Sequence, residues 1–417
     1  MVNTMNKLDS LIQELCPQGV ERKRLGDIGV IVRGNGLQKK DFTESGVGCI
    51  HYGQIYTYYG TCAYKTKSFV SPELAEKLQK VNKGDLVIAV TSENVEDVGK
   101  CVVWLGDEQI VTGAHAAIFR HNQDPKYVAY WFQTNDFFTQ KKRIAKGTKV
   151  IDLTPQKLEE VTMPVPPLPV QREIVRILDN FAELTAELTA ELTARKKQYE
   201  YYRDTLLTFG VHRGGTFETK WRTLGEVCGL QAGKAIPAIE ISPVQTKEYS
   251  VPCYGGNGLR GYVKTANQQG DKPLVGRQGA LCGNVCYATG PYYATEHAVI
   301  VSDKGFFNSR FLYHALVHAN LNQYKTAGAQ PGLSVAKLEK VKIPVPEKEI
   351  QDRIAKVLDN FDAICSDLNI GLPAEIEARK KQYEYYRDML LTFAAADDII
   401  LTDRQTDRQT DRQTDRQ

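Results

Sequence analysis

ARKKQYEYYRDTLLTF occupies residues 194–209, and ARKKQYEYYRDMLLTF occupies residues 378–393. Fifteen of the sixteen positions agree, so the chain is internally duplicated. The duplication extends upstream. LDNF at 178–181 returns at 358–361, and KLEEVTMPVP at 157–166 returns as KLEKVKIPVP at 337–346. LDNF recurs at an offset of 180 and ARKK at an offset of 184, so the second copy carries four extra residues between them. The segment openings echo each other too: Arg24-Leu25-Gly26-Asp27 resembles Thr223-Leu224-Gly225-Glu226. What lies between openings and PVP elements diverges. The plan is variable domain, constant helix, variable domain, constant helix.

The constant stretches read as helices. Ile174, Ile177, Leu178, Phe181, Leu184, Leu188, Leu192, Tyr199, Tyr202 and Leu206 recur mostly at steps of three or four, an amphipathic spacing. No Pro or Gly interrupts 170–209, while Pro164, Pro166, Pro167 and Pro169 set the start and Gly210 the end. Forty helical residues measure about 60 Å, too long for one small domain to bury. The expected partner is the second copy, giving an antiparallel pair with pseudo-two-fold symmetry. Gly371-Leu372-Pro373 predicts a break in that copy, with helices near 350–369 and 374–393. The first helix also contains TAEL twice, at 185–188 and 189–192. Each copy adds about 6 Å of helix. The tandem is either plain helix-forming filler or a ruler whose repeat number sets a spacing.

The expected fold is α+β: two globular domains separated by two long antiparallel helices. The segments are 1–168, a helix at 169–209, 210–348, a second helix at 349–395, and a tail at 396–417. The 417 residues, 42% apolar and 25% charged, suffice for two or three cores. A net charge of +3 neither marks nor excludes a nucleic-acid binder, since a local basic patch can hide in a balanced total. The nine cysteines are scattered, and the closest pair, Cys282 and Cys286, lacks a second pair or a His cluster for zinc. No apolar run reaches membrane length, and residues 1–9 lack an apolar leader core. The expectation is a reduced, cytoplasmic protein.

Four features together resemble the specificity subunit of type I restriction-modification systems, over residues 5–395. They are the pair PVPPLPVQREIVRILDNF and PVPEKEIQDRIAKVLDNF, the repeated ARKKQYEYYRD helix, the TAEL tandem, and a set of glycine-rich strands. TAEL resembles the spacer of the IC group. The strands are YSVPCYGGNGLRGYV (249–263), VGRQGALCGNV (275–285), ATEHAVIV (294–301) and AQPGLSVAKLEKVKIPVP (329–346). In the first domain CIHYGQIY (49–56), KGDLVIAVTSEN (83–94) and TGAHAAIF (112–119) stand in the corresponding places, and 149–155 replaces AQPGLS. The resemblance implies that each globular domain reads one half of a split site in double-stranded DNA. It further implies that the helices space the domains and bind two methyltransferase subunits, which restriction subunits join. S-adenosylmethionine, ATP and Mg²⁺ belong to those partners, with no cofactor on this chain.

The residues agree that the chain lacks its own chemistry. Gly229 to Ala235 has three spacer residues where a phosphate loop needs four, and no Ser or Thr for Mg²⁺. No GxSxG or HExxH occurs. His115 and His297 stand in equivalent places in both domains, which favours a structural hydrogen bond over catalysis. A catalytic fusion is therefore disfavoured. A coiled-coil adaptor without DNA readout remains the alternative, although a mere spacer needs no globular heads.

Base readout needs Arg, Lys, Asn or Gln at base edges, with Lys and Arg on phosphates. In the first domain the candidates are Gln54, Tyr56, Tyr58 and Tyr59, and the basic run Lys141, Lys142, Arg143, Lys146 and Lys149. The tyrosines read equally as core-packing strand residues, and the basic run as a solvated helix face. In the second domain they are Asn257, Arg260, Arg277, Gln278, Lys325 and Gln330, in glycine-flanked turns that a plain hairpin also explains.

The tail repeats TDRQ four times at 402–417. It has no apolar residue with which to build a core. TDRQ can be encoded by ACA-GAC-AGA-CAG, three copies of ACAG, a tract that reads the same in every frame. We expect the gene to carry this slippage-prone repeat; sequencing it and finding synonymous codons scattered through the tract would dismiss the idea.

Overall fold

The structure, a computed structural model, describes residues 2–209, 219–279, 281–326, 331–366 and 371–393. Gln330 and the TDRQ tail lie outside the described residues. The chain forms two compact units. One comprises Met1–Glu187 with Ile376–Gln417, the other Leu188–Glu375. The division falls inside the TAEL tandem of a single helix, Leu168–Leu207.

In the first unit a five-stranded sheet runs in the order 29–33, 116–121, 86–89, 101–104, 62–63. Leu86-Val87-Ile88-Ala89 is apolar throughout because both faces of its strand are covered, and all four residues are inaccessible to solvent. A second sheet, in the order 68–70, 47–50, 110–112, 79–81, contains one parallel pair, Val111 opposite Cys49. The helix Pro125–Trp131 begins at Asp124, whose carboxylate accepts from the Lys126 and Tyr127 amides. It buries Tyr127 and Trp131 in a core shared with Phe119, Ile174, Leu178 and Phe181.

The second unit repeats this plan with different side chains. One sheet runs 228–232, 298–303, 272–276, 285–288, and the other 258–263, 251–255, 291–294, 268–269. Its parallel pair is Tyr254 opposite Ala294, the counterpart of Ile50 opposite Thr112. The openings match in detail. Leu25 and Leu224 each donate at 2.8 Å to Val161 and Val341, and Asp27 and Glu226 accept from the backbone amides of Arg24 and Thr223.

The LDNF helices dock through the same contacts twice. Gln171 accepts the Asp124 amide at 2.9 Å and donates to the Pro166 carbonyl; Gln351 accepts the Asn308 amide at 2.7 Å and donates to Pro346. Both glutamines are buried, so each polar end has a fixed partner. Phe181 stacks on Tyr386 in the first unit at 5.4 Å and 25°. Phe361 stacks on Tyr202 in the second at 5.3 Å and 24°. By the duplicated register these are the same pair with the strands of sequence exchanged: an LDNF phenylalanine meets a tyrosine of the other ARKKQYEYYRD copy. In the second unit the two helices run antiparallel, since Tyr202 meets Phe361 while the later Leu207 shares a core with the earlier Leu358. The second copy is divided: one helix ends at Ser366 and the next begins at Leu372, with 367–370 outside the described residues.

Candidate nucleic-acid interface

The second unit has an open cleft of about 740 Å³ beneath the hairpin 251–263. Gly255 pairs with Gly258, leaving Gly256-Asn257 as a two-residue turn, and Gly258 takes φ +90°, a conformation that favours glycine. The hairpin lies directly on the neighbouring strand end. A Cβ on Gly276 would collide with the Gly256 carbonyl, and one on Gly256 would stand 2.8 Å from the Gln278 carbonyl. Glycine is required here because two backbones touch. The cleft is lined by Asn257, Leu259, Arg260, Gln278, His297 and Pro331, together with glycines. Asn257, Leu259, Arg260 and Gln278 are exposed.

Unsatisfied polar atoms gather at this place. Among the described residues six buried side-chain nitrogens or oxygens lack a hydrogen-bond partner, and three belong to Arg277 (Nε), Glu296 (Oε2) and His297 (Nδ1). Burying a polar atom unpaired costs free energy, and three of the six such atoms belong to residues in or beside the lining of this cleft.

The first unit builds the same frame from other residues. The Val90 amide donates to the His115 carbonyl as the Arg277 amide donates to that of His297, and Leu153 donates to Val90 as Leu333 donates to Arg277. Thr91 is in register with Asp152 as Gln278 is with Gly332. Thr154 and Ser334 then cap matching short helices. The register equates Thr91 with Gln278, His115 with His297 and Asp152 with Gly332. In the first unit these side chains are tied together. The Thr91 hydroxyl lies 2.8 Å from His115 Nδ1, the Tyr52 and His115 rings are 4.8 Å apart, and Asp152 accepts Arg33 Nη2 at 2.6 Å.

The structure sorts the candidates. Gln54 serves the backbone: it accepts the His51 amide at 3.1 Å and donates to Ser68. Tyr56 donates to the Thr91 carbonyl at 2.7 Å, and burial raises its hydroxyl pKa, keeping it a donor. Tyr59 accepts the Lys67 amide. Of that cluster Tyr58 is exposed, with the Lys67 ammonium over its ring. Lys141 is corrected as a phosphate clamp. It is 4% exposed and its ammonium donates to the carbonyls of Glu96 and Val98, so a phosphate could reach it only by breaking the core. Lys142 and Arg143 are exposed beside a different cavity, of about 700 Å³, reaching Tyr59 and Arg387. Lys146 and Lys149 are exposed on the loop leading to Asp152, and the Lys146 and Asp152 backbones pair. Arg277 occupies the position of Val90, which is fully buried in the first unit, and is itself half-buried. Lys325 is exposed just before the undescribed 327–330.

Sequence reasoning missed Arg33 and Asp152. Arg33 also donates from Nε to the Ala114 carbonyl at 3.0 Å. The available signal was an arginine ending an apolar strand directly before Gly34-Asn35-Gly36. His115 has Thr91 as a partner, in keeping with a structural role, whereas His297 pairs through Nε2 with Glu296 at 3.1 Å and leaves Nδ1 without a partner. Residues 228–232 lie in a strand paired to 299–303, so the glycines near 229–233 do not open a helix as a phosphate loop would. Among the described residues no cluster of three His, Cys, Asp or Glu could hold a metal ion, and no helix is long and apolar enough to cross a membrane.

Comparison with known proteins adds the following. Residues 17–195 and 218–378 each match the model of the type I restriction modification DNA specificity domain. The type I restriction enzyme EcoprrI specificity subunit of Escherichia coli is 44% identical over 254 residues, 59% of this chain and 63% of that protein; the match thus spans less than two thirds of the relative's length. The EcoR124I/EcoR124II specificity subunit of Escherichia coli is 32% identical over 326 residues, 66% of this chain and 72% of that protein. The fold is similar to the crystal structure of a type I restriction-modification S subunit from M. genitalium. That likeness has a TM-score of 0.57 at 17% identity, covering 89% of this chain and 96% of that one.

Proposed function

The chain belongs to the type I restriction-modification DNA specificity family, and from that premise we propose that it reads a split site in double-stranded DNA, one half through each unit. The observation that carries this reading is the repeated frame: one arrangement of backbone pairing, built twice, with unlike side chains on it. A constant frame with variable edges is what two different base sequences require of one scaffold. The chain supplies no catalytic group. Two methyltransferase subunits and the restriction subunits bring the chemistry, with S-adenosylmethionine, ATP and Mg²⁺ held on them, in the cytoplasm.

The test uses the continuous helix Leu168–Leu207. Inserting one further TAEL copy lengthens that helix by about 6 Å. Co-expressed with the methyltransferase partner, this variant is expected to methylate a site with a wider gap and both half-sites unchanged. Mapping of methylated adenines reads all three at once. Altered half-sites with an unaltered gap would refute the ruler, and loss of any split motif from the wild-type complex would refute DNA readout altogether.

A further inference from the structure

The two units share a backbone position that carries very different side chains. In the first unit it is Thr91, 6% exposed, its hydroxyl bound to His115. In the second it is Gln278, which is exposed, and among the described residues no hydrogen bond holds its side-chain amide. Its backbone, by contrast, is held on several sides. Gln278 bridges to Gly332, the neighbouring Gly279 amide donates to the Pro331 carbonyl at 3.1 Å, and the Arg277 amide donates to His297 at 2.9 Å. Gly256 presses on the Gln278 carbonyl so closely that any side chain there would displace it. The backbone is thus fixed while the exposed carboxamide keeps its donor and its acceptor available to a base edge.

We infer that Gln278 is the base-reading residue of the second unit and that the base it takes is adenine. This rests on the DNA-reading function proposed above. The carboxamide places one donor and one acceptor side by side. In the major groove adenine offers the complement, the N7 acceptor beside the N6 amino donor, whereas guanine offers two acceptors and suits Arg or Lys. Arg260 also lines the cleft and is exposed, and its proposed contact is the backbone phosphates, which Arg can hold without reading sequence. The first unit cannot use the equivalent position, because Thr91 is withdrawn into its bond with His115. The two heads therefore read through different places on one frame.

The test compares wild type, Gln278→Ala, Gln278→Glu and Arg260→Ala, each as the full chain with its methyltransferase partner. The methylated motif is mapped, and initial methylation rates are measured on duplexes with single base-pair changes. Gln278→Ala is expected to lose roughly tenfold or more of the discrimination at one A·T pair of one half-site, leaving the other half-site and the gap intact. Gln278→Glu, of the same shape but without the amide donor, is expected to change preference at that same pair. Arg260→Ala is expected to weaken methylation of all duplexes alike and to make it about one unit less steep in salt. An unchanged motif in both Gln278 variants, or a relaxed G·C pair in place of A·T, overturns the assignment. A wild-type complex that methylates no split site overturns the underlying reading instead, so the two failures are distinguishable.

Discussion

Replacing Phe181 by alanine is expected to lower the stability of the first unit by about 3–4 kcal/mol. Phe181 is 5% exposed and lies in the core that gathers Ile174, Leu178 and Trp131 with Leu390 and Leu391 from the far end of the chain. Its ring stacks on Tyr386, an arrangement that adds about 0.5–1.5 kcal/mol beyond burial. Loss of the ring leaves a cavity between segments some two hundred positions apart, so no local rearrangement can close it. Thermal unfolding should show an earlier transition, and limited proteolysis should cut the helix Leu372–Thr392 sooner. Phe361→Ala should cost less, because Phe361 is only half-buried and its partner Tyr202 is 38% exposed. Tyr201→Ala, at a ring 59% exposed, is the control, expected within about 0.5 kcal/mol of wild type. Equal losses for Phe181 and Tyr201 would contradict the docking of the two helices in this unit.

Replacing Asp359 by alanine is expected to destabilise the second unit by about 2–3 kcal/mol. Asp359 Oδ1 accepts from His314 Nε2 and from Arg310 Nε, both at 2.7 Å. His314 is fully buried, and its Nδ1 lies 3.2 Å from the Tyr199 hydroxyl, so the neutral ring donates at one nitrogen and accepts at the other. Arg310 lies against the rings of Tyr287 and Tyr313, 4.4 and 4.7 Å from their centroids, and keeps Asp362 at 3.1 Å. Removing Asp359 strands the buried His314 donor while Arg310 retains one carboxylate. The value lies at the lower end for a buried pair because Asp359 is itself 34% exposed. Acidity should act on the same network in the wild type. Burial holds the His314 imidazole below its ordinary value of about 6.5, and Arg310 lowers it further against the opposing pull of Asp359. A base depressed in the folded state binds more protons when unfolded. Its contribution is therefore complete above about pH 6.5 and is lost as pH falls below it. Denaturant titrations of wild type and Asp359→Ala at pH 8 and pH 5.5 read both effects; a midpoint for wild type that rises on acidification would contradict the neutral imidazole.

The candidate site was legible only in part, and the reason lies in what each residue touches. Glycines around 255–258 and 276–279 announced a place where backbones meet, and Asn257, Arg260 and Gln278 do gather at one cleft. Lys141 misled because a lysine in a basic run looks solvated, while its ammonium in fact closes two backbone carbonyls. Gln54 and Tyr56 misled for the same reason: polar side chains that satisfy the chain's own backbone carry the residue types expected at a groove. Arg33 and Asp152 are 119 positions apart, and no local pattern joins them.

The sequence alone determined the duplication, the long helix and its later broken copy, and the absence of recognisable catalytic motifs. Those follow from repetition, from apolar steps of three and four, and from the placement of Pro and Gly, all of which act over a few neighbouring residues. Only the tertiary structure decided which segments make a compact unit. Each unit joins a globular segment to the start of one LDNF helix and the end of the other ARKKQYEYYRD helix. It also decided which polar side chains face solvent and which the backbone consumes. Both depend on contacts between residues distant along the chain, where burial and hydrogen-bond satisfaction settle the outcome and local pattern has no hold.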